Sequence, residues 1–180
     1  MMFRDVEAKI KKRNRILFSK DSKALKELVE RMGEQNHRTL VLWALDCGEA
    51  ALCDFESVFP GEMRPRKCLE SCRMWARGQI KMKDAKRAIL DSHAVAKEID
   101  DEAGKALCHG IGHAGATVHV SSHAIGLPIY ELTAIVISHN KTGYEEAVKG
   151  KIDCYIERLI YWQENVDKLE MEWADFLKED

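Results

Sequence analysis

The sequence predicts an all-α protein, a single-domain bundle of about seven helices that closes on a long C-terminal helix. Three observations predict it. Only three prolines occur in 180 residues. Ala, Leu, Glu and Lys, the strong helix formers, are plentiful. The last segment places Val148, Ile152, Tyr155, Leu159, Trp162, Val166, Leu169, Trp173 and Phe176 at alternating steps of four and three. That is the spacing of a helix packed along a neighbour, within the subunit or across a homodimer.

Composition bounds the function. A chain of 180 residues makes one domain with a real core. With 46 % hydrophobic and 32 % charged residues it has the profile of a soluble globular protein. A net charge of −2 gives no global case for binding nucleic acid or membrane. No apolar run approaches a membrane span, and MMFRDVEAKIKKRNR lacks the apolar stretch of a signal peptide. The expected location is therefore the cytoplasm. Six cysteines (47, 53, 68, 72, 108, 154) form no CxxC, and in a reducing compartment they read as small buried hydrophobes. Cys68 and Cys72, one helical turn apart, are the one pair with ligand spacing.

Residues 1–20 form a basic segment around KIKKRNR; a solvated helix face or docking segment explains it better than a nucleic-acid arm, since no aromatic or glycine is interleaved. The helical domain spans 21–180. Asp21 or Ser22 caps a first helix that Gly33 ends. Asn36 caps a second, about 37–58, apolar nearly all round and so central. Within it Asp46 and Glu49 share a face, and a buried carboxylate there must find a cation. Pro60–Gly61 turns the chain, and Pro65 opens a third helix, about 65–78, with Arg66, Glu70, Arg73 and Arg77 in a stripe. The short connection makes these two helices antiparallel neighbours. On that geometry Asp46 should meet Arg73 or Arg77 rather than Arg66. A fourth helix runs from about 83 to 99. After the histidine stretch, Gly126–Leu127–Pro128 must kink or restart the helix, and IYELTAIVISHN is apolar enough to lie inside. The first 38 residues carry eleven bases against six acids, and the chain from Glu157 onward eight acids against three bases. The two ends should therefore lie side by side or pair between subunits.

The stretch CHGIGHAGATVHVSSHAIG (108–126) holds His109, His113, His119 and His123 among small residues. On one straight helix the outer two would stand roughly 21 Å apart, too far for one ion. A break near Thr117–Val118 could fold the pairs together. Zinc wants three protein ligands and no HExxH is present, so packed histidines explain the pattern better than a metal, and no cofactor is implied. The glycines and alanines let a neighbouring helix approach closely. His119 and His123 are expected inward, near Asp46 or Glu49.

Three segments, LWALDCGEAAL (42–52), RPRKCLESCRMWARGQI (64–80) and GHAGATVHVSSHAIGLPIYEL (112–132), resemble the all-helical immunity proteins of bacterial polymorphic toxin systems, whose members carry ALDxAE, RPRxAxExxRxWxRGEI and AGHAxATAHxxxHA-like motifs. The resemblance falls on Asp46, Glu49, Arg64, Pro65, Arg66, Arg73, Trp75, Arg77, His113, His119 and His123. Cys47–Gly48 and His109 depart from it. It implies a non-catalytic binder whose partner is a cognate toxin. A second reading makes Asp46, Glu49, Arg66, Arg73, Arg77, His113, His119 and His123 the lining of an interior enzyme or ligand site, with or without a metal. A closed set of salt bridges would favour the binder; a convergent polar pocket would favour the enzyme.

Overall fold

A computed structural model describes residues 2–178. Among them stand eight α-helices: α1 Arg4–Lys11, α2 Lys26–Gly33, α3 His37–Val58, α4 Arg64–Ala76, α5 Met82–Val95, α6 Glu102–Ala116, α7 Gly126–Ser138 and α8 Glu145–Asn165. Short 3-10 turns fill Lys23–Leu25, Ser121–His123, Val166–Lys168 and Asp175–Leu177. The bundle is all-helical, and the helix beyond the expected seven is α1, formed by the basic segment itself. Phe3 and Val6 sink into the core while Lys11, Lys12, Arg13 and Arg15 stay outside. Beyond α1, the backbone N–H of Leu17 donates to Thr133 Oγ1 of α7 at 3.1 Å.

The centre belongs to α3 and α6. The side chain of Asn36 accepts from Thr39 N–H at 2.8 Å and starts α3. Trp43, Ala44, Ala51, Leu52 and Phe55 are fully buried along it, each large side chain contributing about 1.5–3 kcal/mol. Trp43 Nε1–H donates to the Tyr155 carbonyl at 2.9 Å, which fixes α8 against α3. Helix α6 touches α3, α4, α5 and α7, a crowding its small residues permit. A Cβ on Gly115 would lie 2.7 Å from Cys72 Sγ, so only glycine lets α4 come this near. Cys47, Cys68, Cys72 and Cys108 are buried, as a hydrophobic role requires, but Cys53 and Cys154 are exposed. Burial pushes the Cys108 thiol up to about 12.

Two elements end earlier than their sequence patterns. The histidine stretch is not one helix: α6 stops at Ala116. Thr117 Oγ1 donates back to the His113 carbonyl at 3.0 Å, the next N–H groups tighten into i,i+3 bonds, and β-branched Thr117, Val118 and Val120 favour leaving the helix. Helix α7 restarts with Pro128 in its first turn, where no N–H is needed. The C-terminal pattern also outruns its helix. Val148, Ile152, Tyr155 and Leu159 are buried inside the subunit, whereas α8 ends at Asn165. Residues 169–174 run non-helically across α4, where Ala174 N–H donates to the Ala76 carbonyl at 2.8 Å. Gly78, at φ +70°, makes the left-handed turn that brings the backbone beneath Ala174. The seam from Val148 to Leu159 packs within the chain, and the solvent face of α8 carries Asp153, Glu157, Ile160, Tyr161 and Glu164. The oppositely charged ends do lie side by side: Arg38 pairs with Asp167 at 3.5 Å, and Gln35 Nε2 donates to Gln163 Oε1 at 3.1 Å. Among the described residues no helix is long and apolar enough to cross a membrane.

Candidate functional site

Asp46, Glu49, Arg73 and Arg77 line one cavity of about 210 Å³ with Leu42, Trp162 and Met171. Helices α3 and α4 are antiparallel, and their ion pairs show the register. Glu49 pairs with Arg73; seven residues further along α3 and seven back along α4, Glu56 takes Arg66 through two bonds of 2.7 and 2.6 Å. Arg66 donates two hydrogen bonds and holds the Glu56 carboxyl below its usual range. At the start of α4, Arg64 bridges Glu62 and Glu98, with bonds from 2.6 to 2.9 Å.

Asp46 does not meet Arg73 or Arg77. One turn before Glu49 it is rotated toward α8, where Arg158 Nε–H and Trp162 Nε1–H donate to Oδ2 at 2.6 and 2.8 Å. The antiparallel hairpin is as expected; the cation comes from a helix about a hundred residues away, which helix order does not reveal. Asp46 is also only part-buried, its side chain 33 % exposed. Arg73 is left to Glu49 and to the Leu45 carbonyl at 3.3 Å.

The histidines form a separate cluster. The break after Ala116 folds His123 back onto His113, Nδ1 to Nδ1 at 3.2 Å. His93 of α5 meets His109 the same way at 2.9 Å, and its ring stands edge-on to His113, centroids 5.6 Å apart. Tyr130 of α7 packs against His109 and His113 at 5.2 and 5.3 Å. His119 stacks on Trp75, which also touches Phe176. A second cavity, about 240 Å³, is lined by Trp75, Lys86, His93, His113, His119 and His123. Neither His119 nor His123 contacts Asp46 or Glu49, so the expected joint burial of the two polar sets is not what forms. Each set finds partners of its own.

Two facing Nδ1 atoms share one proton, so one ring donates and the other accepts. Burial lowers all four pKa values; for His93 and His113 it reaches about 4, with neighbouring imidazoles adding to the shift. The cluster is neutral near pH 7. His37 Nε2–H donates to the Thr117 carbonyl at 2.6 Å and ties the break to α3. Among the described residues no three His, Cys, Asp or Glu side chains converge to hold a metal ion.

One polar group lies deeper than either cavity lining. Glu131 on α7 is 1 % exposed, ion-paired to Lys151 and hydrogen-bonded by the Tyr155 hydroxyl. Burial raises its carboxyl pKa and Lys151 opposes the rise. The sequence signal for it was available: Glu131 is the single charge in the apolar run IYELTAIVIS. His93, which completes the histidine cluster, left a weaker trace, four residues after buried Ile89 on the same face of α5.

The carboxylate–arginine face of α3 and α4 and the folded-back histidines hold the motifs quoted above, and comparison with known families decides what they belong to. A family model described as "Imm-5 like putative immunity protein" matches residues 30–159. The chain belongs to this family. No curated protein and no solved structure matches it. The Imm-5 like match runs from within α2 to the last turns of α8, so both cavities fall largely inside it. Outside it lie α1 and the C-terminal segment that crosses α4.

Proposed function

We propose that this Imm-5 like protein neutralises a toxin by binding it, without catalysis of its own, and that it does so in the cytoplasm, where a toxin acting inside the cell would be met. One observation carries the reading beyond family membership. The carboxylates that could serve as acid or base are each committed to a cation: Asp46 to Arg158, Glu49 to Arg73 and Glu56 to Arg66. The imidazoles are committed to one another. Carboxylate and imidazole do not converge on a common point, as general acid–base chemistry would need. What remains is a scaffold stiffened by ion pairs, suited to presenting a fixed surface to a partner.

The test is co-expression with a toxin domain found encoded beside this gene. Growth should be restored, and the two proteins should elute together in size-exclusion chromatography at equimolar ratio. Restored growth with no complex, or with a chemically altered toxin, would instead favour an enzyme. The histidine-lined cavity of about 240 Å³ and the carboxylate–arginine cavity of about 210 Å³ favour a small-molecule ligand, and a thermal-shift screen in which no compound raises the melting temperature would remove that reading.

A further inference from the structure

We propose that the His113–His123 pair is a proton-operated latch: with one proton shared between the rings it holds segment 119–123 closed over α6, and a second proton releases that segment. The inference concerns the fold of this chain and does not depend on what the protein binds.

The geometry supplies a latch, a moving part and a reason why strain cannot leak away. The latch is the 3.2 Å contact between the two Nδ1 atoms, which needs one proton and has no place for two. The moving part is short and bounded. Val118 and Ala124 are fully buried and pin its ends; between them His119, Val120 and Ser122 are exposed and His123 is half-buried. Its ties are few: 3-10 bonds of 3.0 Å from His119 N–H to the Ala116 carbonyl and from His123 N–H to the Val120 carbonyl, one α-type bond of 3.2 Å from Val120 N–H to the Ala116 carbonyl, and the stacking of His119 on Trp75.

Relief within the closed state is blocked on both sides of His113. A Cβ on Gly126 would overlap the His113 ring, so the α7 backbone already touches it. Behind it stands His93, whose Cε1 would lie 2.6 Å from a Cβ on Gly112. The doubly protonated pair therefore separates by moving its weakly held side, the exposed segment that carries His123.

No nearby group neutralises the added charge. From α5 the cavity receives Lys86 and His93, from α6 His113, and from the segment itself His119 and His123. Tyr130 of α7 packs on His113 and His109, and Lys97 acts on His109. Asp100 and Glu102 share a cavity with His109, where Arg15, Lys97 and Lys105 stand beside them. Among the described residues no carboxylate hydrogen-bonds or ion-pairs with any of the four rings. Opening removes the share of the His113 burial that the segment supplies, which moves the ring from about 4 toward its ordinary value. Acidification thus favours the open segment.

Amide hydrogen exchange on the full chain tests this, read as protection factors so that the intrinsic pH dependence of exchange is removed. For one ring moving from about 4 closed toward about 6.5 open, protection at His119, Val120 and His123 should fall severalfold, and at most about twentyfold, from pH 7 to pH 5. Core amides of α3 exchange only by global unfolding, so they also lose protection over that range but should stay better protected than the segment at every pH. His123→Gln keeps a carbonyl that accepts from singly protonated His113 and removes the second titrating ring, so its protection should hold at pH 5. Flat protection in the wild type, or an equal fall in His123→Gln, overturns the latch. If that variant does not fold at pH 7, two wild-type measurements decide: the fall in protection at the segment while the core amides stay better protected, and the His113 ring titration by NMR. A ring titrating near the ordinary 6.5 with the segment still protected also overturns it.

Discussion

Among single residues, Asp46 and Glu131 show how burial sets the worth of an ion pair. Both are carboxylates on central helices, and both meet a cation and an aromatic donor. Asp46 is one-third exposed and Arg158 slightly more so, so water screens the pair and already solvates each group. Glu131 is 1 % and Lys151 17 % exposed; removing the carboxylate there strands an ammonium in the core. Glu131→Ala should cost about 3–5 kcal/mol, and Asp46→Ala only about 1–2 kcal/mol, much of it the lost acceptor of Trp162. Urea denaturation of the two variants measures the difference, and Asp46→Ala proving the more costly would refute this ordering. The sequence drew attention to the wrong carboxylate for a physical reason. Periodicity shows which face of a helix is apolar, but it cannot show that α8 leaves Asp46 a channel to solvent while α7 carries Glu131 to the centre.

At the scale of elements, helix interiors were legible and helix ends often were not. Asn36, Pro65 and Gly78 are local signals that act within a turn, and α3 and α4 begin and end close to where those residues place them. The break after Ala116 depends on β-branched residues meeting a packed neighbour, and it decides the histidine cluster. On an unbroken helix His113 and His123 would be roughly 15 Å apart. The C-terminal pattern failed in the opposite direction. Its apolar spacing continues to Phe176, yet Leu169 and Phe176 are over 40 % exposed, because residues 169–174 no longer follow a helix. What that segment does bury is Trp173 and Leu177, the latter completely. Leu177→Ala should therefore destabilise by about 2–5 kcal/mol. A Leu177→Ala melting curve superimposable on the wild type's would mean the segment is not held against α4 in solution.

For the whole molecule, the pH dependence of stability adds these local environments with their signs. His93 and His113 have folded pKa values near 4, below the unfolded value of about 6.5. Between those limits the unfolded chain binds more protons, so their contribution is full above pH 6.5 and is lost as pH falls toward 4. His109 and His123 act in the same direction. Glu131 opposes them: its folded pKa is raised, so the fold takes up that proton more readily than the unfolded chain and gains from acid. Glu56 and Glu62, lowered by Arg66 and Arg64, are present above their ordinary range and lost only below it; as exposed pairs they count for little. Four imidazoles against one carboxyl leave a net loss. After discounting for partial exposure, each of the two most shifted rings should cost about 1–2 kcal/mol between pH 7 and 4.5. The melting temperature should accordingly begin to fall near pH 6.5, well above any carboxylate range. His93→Gln with His113→Gln should flatten that first limb while leaving the steeper decline below pH 4.5. A wild-type melting temperature constant from pH 7 to pH 5 would show that the four rings are not held neutral by the fold.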